Sequence, residues 1–135
     1  MLGELIYEEA GTITGTRVLE PGGEESLVEV DLRSEGTIQG VKETTLWTYW
    51  SATRADGSIY GEGDGIMTTE HGDIIRLIGS GTAAVGAPGS GISYRGSIYF
   101  HTNSDRFSHL NSIMGAHEHE VAPDGSATVK VWEWK

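Results

Sequence analysis

Two histidines one residue apart carry the clearest chemical suggestion in the chain. In the run Ile113 to Val121, strand alternation sets His117, His119 and Val121 on one side and Ala116, Glu118 and Glu120 on the other. An HxH pair on a strand aims two imidazoles the same way, as metal sites require, and His101 could join them from an adjacent strand. A glutamate a few residues further on would complete such a site. The chain instead reads Ala122-Pro123-Asp124 there, so we expect no metal and no cofactor. The reading favoured for His117 and His119 is a pair of pocket-lining groups that orient a ligand by hydrogen bonds. His71 and His109 fall in turns and need no chemical role.

The second suggestion is Tyr60-Gly61-Glu62-Gly63-Asp64-Gly65-Ile66. Alternation puts Tyr60, Glu62, Asp64 and Ile66 on one face and three glycines on the other. If the carboxylates face inward, burial raises their pKa and Glu62 becomes the candidate general acid or base. If the glycines face inward, they make room for Trp47, Tyr49 or a ligand, and the carboxylates are solvated. The second arrangement is favoured, because charged residues are seldom buried without partners. The GxGxG spacing is not a dinucleotide fingerprint, since no βαβ unit follows it. No nucleophile elbow, P-loop or Ser-His-Asp pattern is present.

These residues need strands to hold them. Ile92, Tyr94, Ile98 and Phe100 alternate with Ser93, Arg95, Ser97, Tyr99 and His101, which gives one apolar and one polar face. Val28, Val30, Leu32 and Ile38 share a face opposite Glu29, Asp31, Arg33 and Glu35, the mark of a sheet with a dry inside and a wet outside. Leu2 to Leu19 reads as one strand broken at Gly11 and Gly15, or as two joined by a bulge. Further strands are expected at Val41 to Thr53, Ile59 to Thr69, Ile74 to Val85 and Ala127 to Trp134. Glu20 to Glu24, Ala55-Asp56-Gly57, Glu70 to Asp73, Gly86 to Gly89 and Ala122 to Ser126 are the connections, and the last has Pro, Asp and Gly where a tight turn needs them. Asn103 to Ser112 is too polar for a strand. Phe107 and Leu110, three apart behind possible caps at Asn103 and Ser104, suit one helical turn near 104–111 lying over a barrel end.

The sum is eight strands with short connections, so residues 1–135 are predicted to form a single all-β domain, an eight-stranded antiparallel up-and-down barrel. Eight is the smallest number that closes with room for side chains or one small ligand. Glycine supports this: 20 of 135 residues is about twice common usage, and glycine inside strands marks bends and close approaches.

Composition removes several functions. A formal charge of −11 argues against nucleic acid and against anionic membrane surfaces. There is no cysteine, hence no disulfide and no thiolate chemistry. No run approaches the ~18 apolar residues of a membrane helix. The first residues have neither the basic nor the apolar region of a signal peptide, and a cytoplasmic protein is expected. Trp50, Trp132 or Trp134, on whichever face the core does not use, predicts a homo-oligomer, a homodimer.

With these elements placed, the chain resembles the bacterial small-barrel proteins related to allene oxide cyclases and to avidin-like, calycin-type barrels. The resemblance spans nearly the whole chain. It rests on Gly61-Glu62-Gly63-Asp64-Gly65, on Tyr94-Arg95-Gly96-Ser97-Ile98, on Leu110 to Gly115 leading into Glu118-His119-Glu120, and on Val131-Trp132-Glu133-Trp134. It implies an eight-stranded barrel, often oligomeric, with an apolar cavity; some members cyclise or isomerise apolar substrates with little acid–base machinery. None of the cyclase catalytic residues aligns here.

Two functions follow as expectations. The barrel binds an apolar small molecule through Trp47, Tyr49, Tyr99, His101, His117 and His119, or it is a cofactor-free isomerase or cyclase using Glu62 or a histidine in the same cavity. A His-ligated metalloenzyme comes third. Whichever holds, His117 and His119 should face inward, and desolvation should keep both neutral at pH 7.

Overall fold

The computed structural model describes residues 1–20 and 26–135, so the expected loop from Pro21 to Glu24 lies outside the described residues. Eight strands run in sequence order: β1 (Leu2–Glu20), β2 (Ser26–Ile38), β3 (Val41–Thr53), β4 (Ser58–Thr69), β5 (Ile74–Ala84), β6 (Ile92–Thr102), β7 (Met114–Val121) and β8 (Ser126–Trp134). Each pairs antiparallel with the next, and β8 returns to β1 through pairs such as Tyr7–Val131 and Thr12–Ser126, closing the barrel.

Register follows the apolar alternation. On β2, Val30, Leu32 and Ile38 are buried, while Asp31, Arg33 and Glu35 are exposed. β1 is one strand rather than two. Its ladder with β2 shifts between Ile13 and Gly15, leaving Thr14 as the extra residue of a bulge, and Gly11 stays in register with Ser34. A shift against β8 between Leu5 and Tyr7 lets both Ile6 and Tyr7 reach the core.

The hairpins show why their sequences turn. At β7–β8, Gly125 adopts φ +89°, its N–H donates to the Ala122 carbonyl at 3.0 Å, and Asp124 accepts from the Ser126 N–H at 2.9 Å. Arg54 to Ser58 repeats this scheme, with Gly57 at φ +87° and Asp56 accepting from the Ser58 N–H at 2.9 Å. Such turns leave no slack, so strand register is fixed at both ends.

One end of the barrel is plugged. A 3-10 helix (Asp105–Ser112) between β6 and β7 buries Phe107 and Leu110 against the core. Its expected caps are absent: Ser104 makes no side-chain cap bond and instead donates to Asp73 Oδ1 at 2.6 Å. Asn111 does the anchoring, accepting from the Thr102 N–H at 2.8 Å and donating to the Thr102 carbonyl at 3.0 Å. Tyr7, Ile38, Met67, Ile75, Leu77 and Val131 fill this half of the barrel.

Candidate functional site

The other half is built on missing side chains. Gly61, Gly63 and Gly65 of β4 face inward opposite Ser51, Tyr49 and Trp47 of β3. On β5, Gly79 pairs with Gly63 and Gly81 with Gly61, and Gly81 pairs in turn with Gly96 of β6. This glycine floor carries three rings. A Cβ on Gly65 would lie 2.8 Å from the Trp47 indole, one on Gly63 would overlap Tyr49, and one on Gly96 would come within 2.8 Å of His117 Nε2. The inward glycines settle the orientation of β4, and Glu62 and Asp64 point to water.

What remains is a chamber of about 60 Å³, walled by Leu32, Trp47, Tyr49, Tyr94, Ile98, His117, His119 and Val129. Its surface is almost wholly carbon, and several polar atoms of the lining residues are engaged with one another or with backbone. His119 Nδ1–H donates to the Thr128 carbonyl at 3.2 Å, and Tyr49 Oη lies 3.2 Å from His119 Nε2. Tyr94 stacks on His119, with ring centres 5.5 Å apart, and its hydroxyl lies 3.0 Å from Ser51 Oγ. His117 Nε2–H donates to the Ser80 carbonyl at 2.8 Å. His117 Nδ1 and Trp47 Nε1 are buried without a partner among the described residues.

Burial sets the protonation of this wall. It lowers the His119 pKa to about 4; the Thr128 bond opposes the shift in part, and the His117 charge adds to it. Burial also lowers His117, against the Ser80 bond that favours the cation. Tyr49 is pushed well up, first by burial and then by Tyr94. At neutral pH the wall therefore holds neutral imidazoles and neutral phenols.

Of the predicted site residues, the fold brings Trp47, Tyr49, His117 and His119 together. It separates the other three. Tyr99 is 51% exposed, with its hydroxyl on Met114 Sδ at 3.6 Å, and His101 is exposed on the same outer face. Both share strand parity with Arg95, so the inward packing of Tyr94, Ile98 and Phe100 turns them outward. Glu62 is exposed and accepts from Tyr60 Oη at 2.6 Å, so it is no interior acid or base. Among the described residues no group of three or more His, Asp or Glu side chains is placed to hold a metal.

The expected set also lacked residues the fold supplies. Tyr94 and Ile98 line the chamber, as the alternation of β6 already implied. Below it lies a buried acidic pair, Glu9 and Glu43, each 5% exposed. Both pair with Gly36, one from each side, and Thr45 Oγ1 donates to Glu43 Oε2. Burial, with the adjoining Glu9 carboxyl, raises the Glu43 pKa to about 9. Their parity with Tyr7 and Trp47 was the available signal.

Fold and site together define a small closed up-and-down barrel with an internal carbon-lined chamber. By sequence the chain matches no family model and no curated protein. Solved structures do match. A β-barrel-like protein from Acinetobacter baumannii superposes with a TM-score of 0.83 at 14% identity, over 100% of this chain and 96% of that one. A protein of unknown function from Clostridium acetobutylicum gives 0.82 at 13%, over 98% of each chain. An enzyme from Penicillium herquei gives 0.68 at 15%, over 98% of this chain and 96% of that one. At such identities the likeness is one of fold. None of the three is described as an allene oxide cyclase or a calycin.

Proposed function

We propose that the barrel binds a small, uncharged, mainly apolar molecule in its glycine-floored chamber. One contrast carries the reading: the plugged half of the barrel is filled by large buried side chains such as Tyr7, Ile38, Met67, Ile75 and Leu77, while the other half spends glycines on three adjacent strands to hold open a hollow walled by carbon. Unfilled apolar volume costs stability, and a ligand recovers it. At about 60 Å³ the chamber is well below the ~300–1,000 Å³ of drug-sized pockets, so the buried part of the ligand is compact. Neutral histidines and buried phenols disfavour an anion. Saturation-transfer NMR with benzene should show binding to the wild-type protein and none to Gly79→Val, whose added side chain enters the chamber. Equal binding to both would sink the reading.

A second reading is a cofactor-free isomerase or cyclase of apolar substrates, the activity implied by the resemblance to allene oxide cyclases. The Tyr49–His119–Thr128 chain supports it, because a neutral imidazole held in one tautomer can exchange a proton through a phenol. The description of the Penicillium herquei neighbour as an enzyme also points this way. In this reading His119, and not Glu62, moves the proton, and His119→Gln would lose turnover while keeping affinity.

A further inference from the structure

The outer surface over β5 to β8 carries two neighbouring rows without a charged side chain. Cross-strand register sets Ile78 beside Tyr99, and Tyr99 beside Met114, in one row. The next row runs Ser97, Ala116, Trp132, Leu5. Continuing the β7–β8 register by one residue sets Met114 beside Trp134, which pairs with Leu2 of β1. Tyr99, Trp134 and Leu5 are exposed, and Met114, Ala116 and Trp132 are half-buried. The row bordering this band is charged, in the order Arg95, Glu118, Lys130, Glu8. Lys130 is exposed and forms no salt bridge among the described residues. A neutral centre of Tyr, Trp and Met with a charged rim is the composition of a protein interface, where Lys and Glu are depleted from the core.

We propose that a second copy of this chain covers the band, about a two-fold axis lying along the seam between β7 and β8. Such an axis sets each outward position of β7 against the position of the second copy's β8 at the same height, and the reverse. Ala116 then receives Trp132 of the second copy, a small residue under a large one, and Met114 meets Trp134 of the second copy. In the bordering row Glu118 meets Lys130 of the second copy, and Lys130 meets its Glu118. The order of the charges singles out a copy of the chain as the occupant. Two molecules of charge −11 repel each other. A two-fold contact on the seam is favourable only where β7 and β8 carry opposite signs at one height, as Glu118 and Lys130 do. Another exposed apolar pair, Leu46 and Ile66, fails this condition. Its row ends in Arg33 and Arg76, so a two-fold axis there sets arginine against arginine. Of the tryptophans Trp50 takes no part, since it packs on Tyr60 with ring centres 5.7 Å apart.

Exchanging the two rim charges makes the test. Light scattering of the wild-type protein at roughly 100 μM, above the micromolar range of weak specific interfaces, should give twice the chain mass of 14.5 kDa. Lys130→Glu sets carboxylate against carboxylate at two places in the dimer, and Glu118→Lys does the same with ammonium groups. Each should raise the dimer Kd roughly tenfold or more in sedimentation equilibrium. The double variant Glu118→Lys/Lys130→Glu restores opposite signs and should return the Kd to within about threefold of wild type. Ile66→Glu, on the row that fails the charge condition, should leave the mass unchanged. All three positions lie on the outer face, so the variants keep the fold, which circular dichroism checks. A monomeric wild type would overturn the proposal and leave the band to a different protein. A dimer that both single changes leave intact, or that Ile66→Glu dissociates, would overturn the assignment of the face.

Discussion

Glu9 and Glu43 flank Gly36 in one row of the sheet, and no side chain stands between them. A Cβ on Gly36 would lie 1.9 Å from the Glu8 carbonyl oxygen, so the gap over β2 is enforced by the backbone of β1. Two carboxyl groups are thereby enclosed in the barrel wall, and the other charge acting on Glu43 is also a carboxylate, Glu35. Neutralisation has to come from a proton, because an uncompensated buried charge is costly.

That proton makes the barrel sensitive to alkali. Glu43 titrates near 4.5 when exposed and near 9 in the fold. A raised folded-state pKa gives a contribution that is whole below the unfolded value and is lost as pH climbs through the folded one. The window is pH 4.5 to 9, and at roughly 1.4 kcal/mol per unit the loss is on the order of several kcal/mol. Thermal melts at pH 6, 8 and 10 should show the wild-type midpoint falling. Glu43→Gln, neutral at every pH, should hold level. Parallel decline of the two proteins would remove Glu43 as the cause.

The acid side has the opposite sign and a different residue. His119 is held neutral, with its pKa lowered from 6.5 to about 4. A depressed histidine pKa means that stability is full above pH 6.5 and drains as pH falls towards 4, by about 3 kcal/mol over the window. Two imidazoles should therefore keep neutral-form nitrogen shifts at pH 5.5 in NMR spectra, and His119→Gln should blunt the acid loss. If His119 shows the shifts of a cation at that pH, it does not sit behind Tyr49 as described.

How much was legible beforehand depended on whether a residue's partner lay on its own strand. Val30, Leu32, His117 and His119 could be oriented from alternation alone, because a strand has only two faces. Tyr99 and His101 share the polar face of β6 with Arg95, and only the burial of Tyr94, Ile98 and Phe100 shows that this face is the outer one. The orientation of β4 could not be settled from its own residues: Glu62 faces water because Trp47 and Tyr49, from β3, occupy the space above its glycines. Glu9 and Glu43 are not legible as a pair in the sequence, because they lie 34 positions apart and meet only through Gly36 of the strand between them. Ser104 had the composition of a helix cap, and tertiary context gave its hydroxyl to Asp73 instead.

The orientation of β2 can be tested with adjacent residues. Val30 is 8% exposed and faces the core. Glu29 lies on the outer face, 3.2 Å from Arg17, in a surface pair worth at most about 1 kcal/mol. Val30→Asp buries an unpaired carboxylate and should prevent soluble folding, since the cost of several kcal/mol rivals a typical total of ~5–15. Glu29→Lys should express normally and melt within a few degrees of wild type. Similar solubility for both variants would mean that the faces are exchanged.

Two glycines of the same floor should respond in opposite ways to one added methyl group. At Gly79 a Cβ would meet Ile98 Cγ1 and the Trp47 indole at 3.4 Å, an ordinary packing distance, with no backbone in the way. Gly79→Ala should fold, with a melting temperature near that of wild type, and the methyl should occupy part of the chamber and weaken benzene binding severalfold. At Gly96 a Cβ would lie 1.9 Å from the Ser80 carbonyl oxygen and 2.6 Å from Gly81 Cα, and both atoms belong to the paired strand. Backbone cannot rotate aside as a side chain can, so Gly96→Ala has to separate β5 from β6 and should cost at least about 3 kcal/mol, the upper range of overpacking. It should also break the Ser80 carbonyl bond that fixes His117. Urea denaturation of the two variants beside wild type gives the comparison directly. A stable Gly96→Ala with an intact chamber would show that β5 and β6 do not pair in this register.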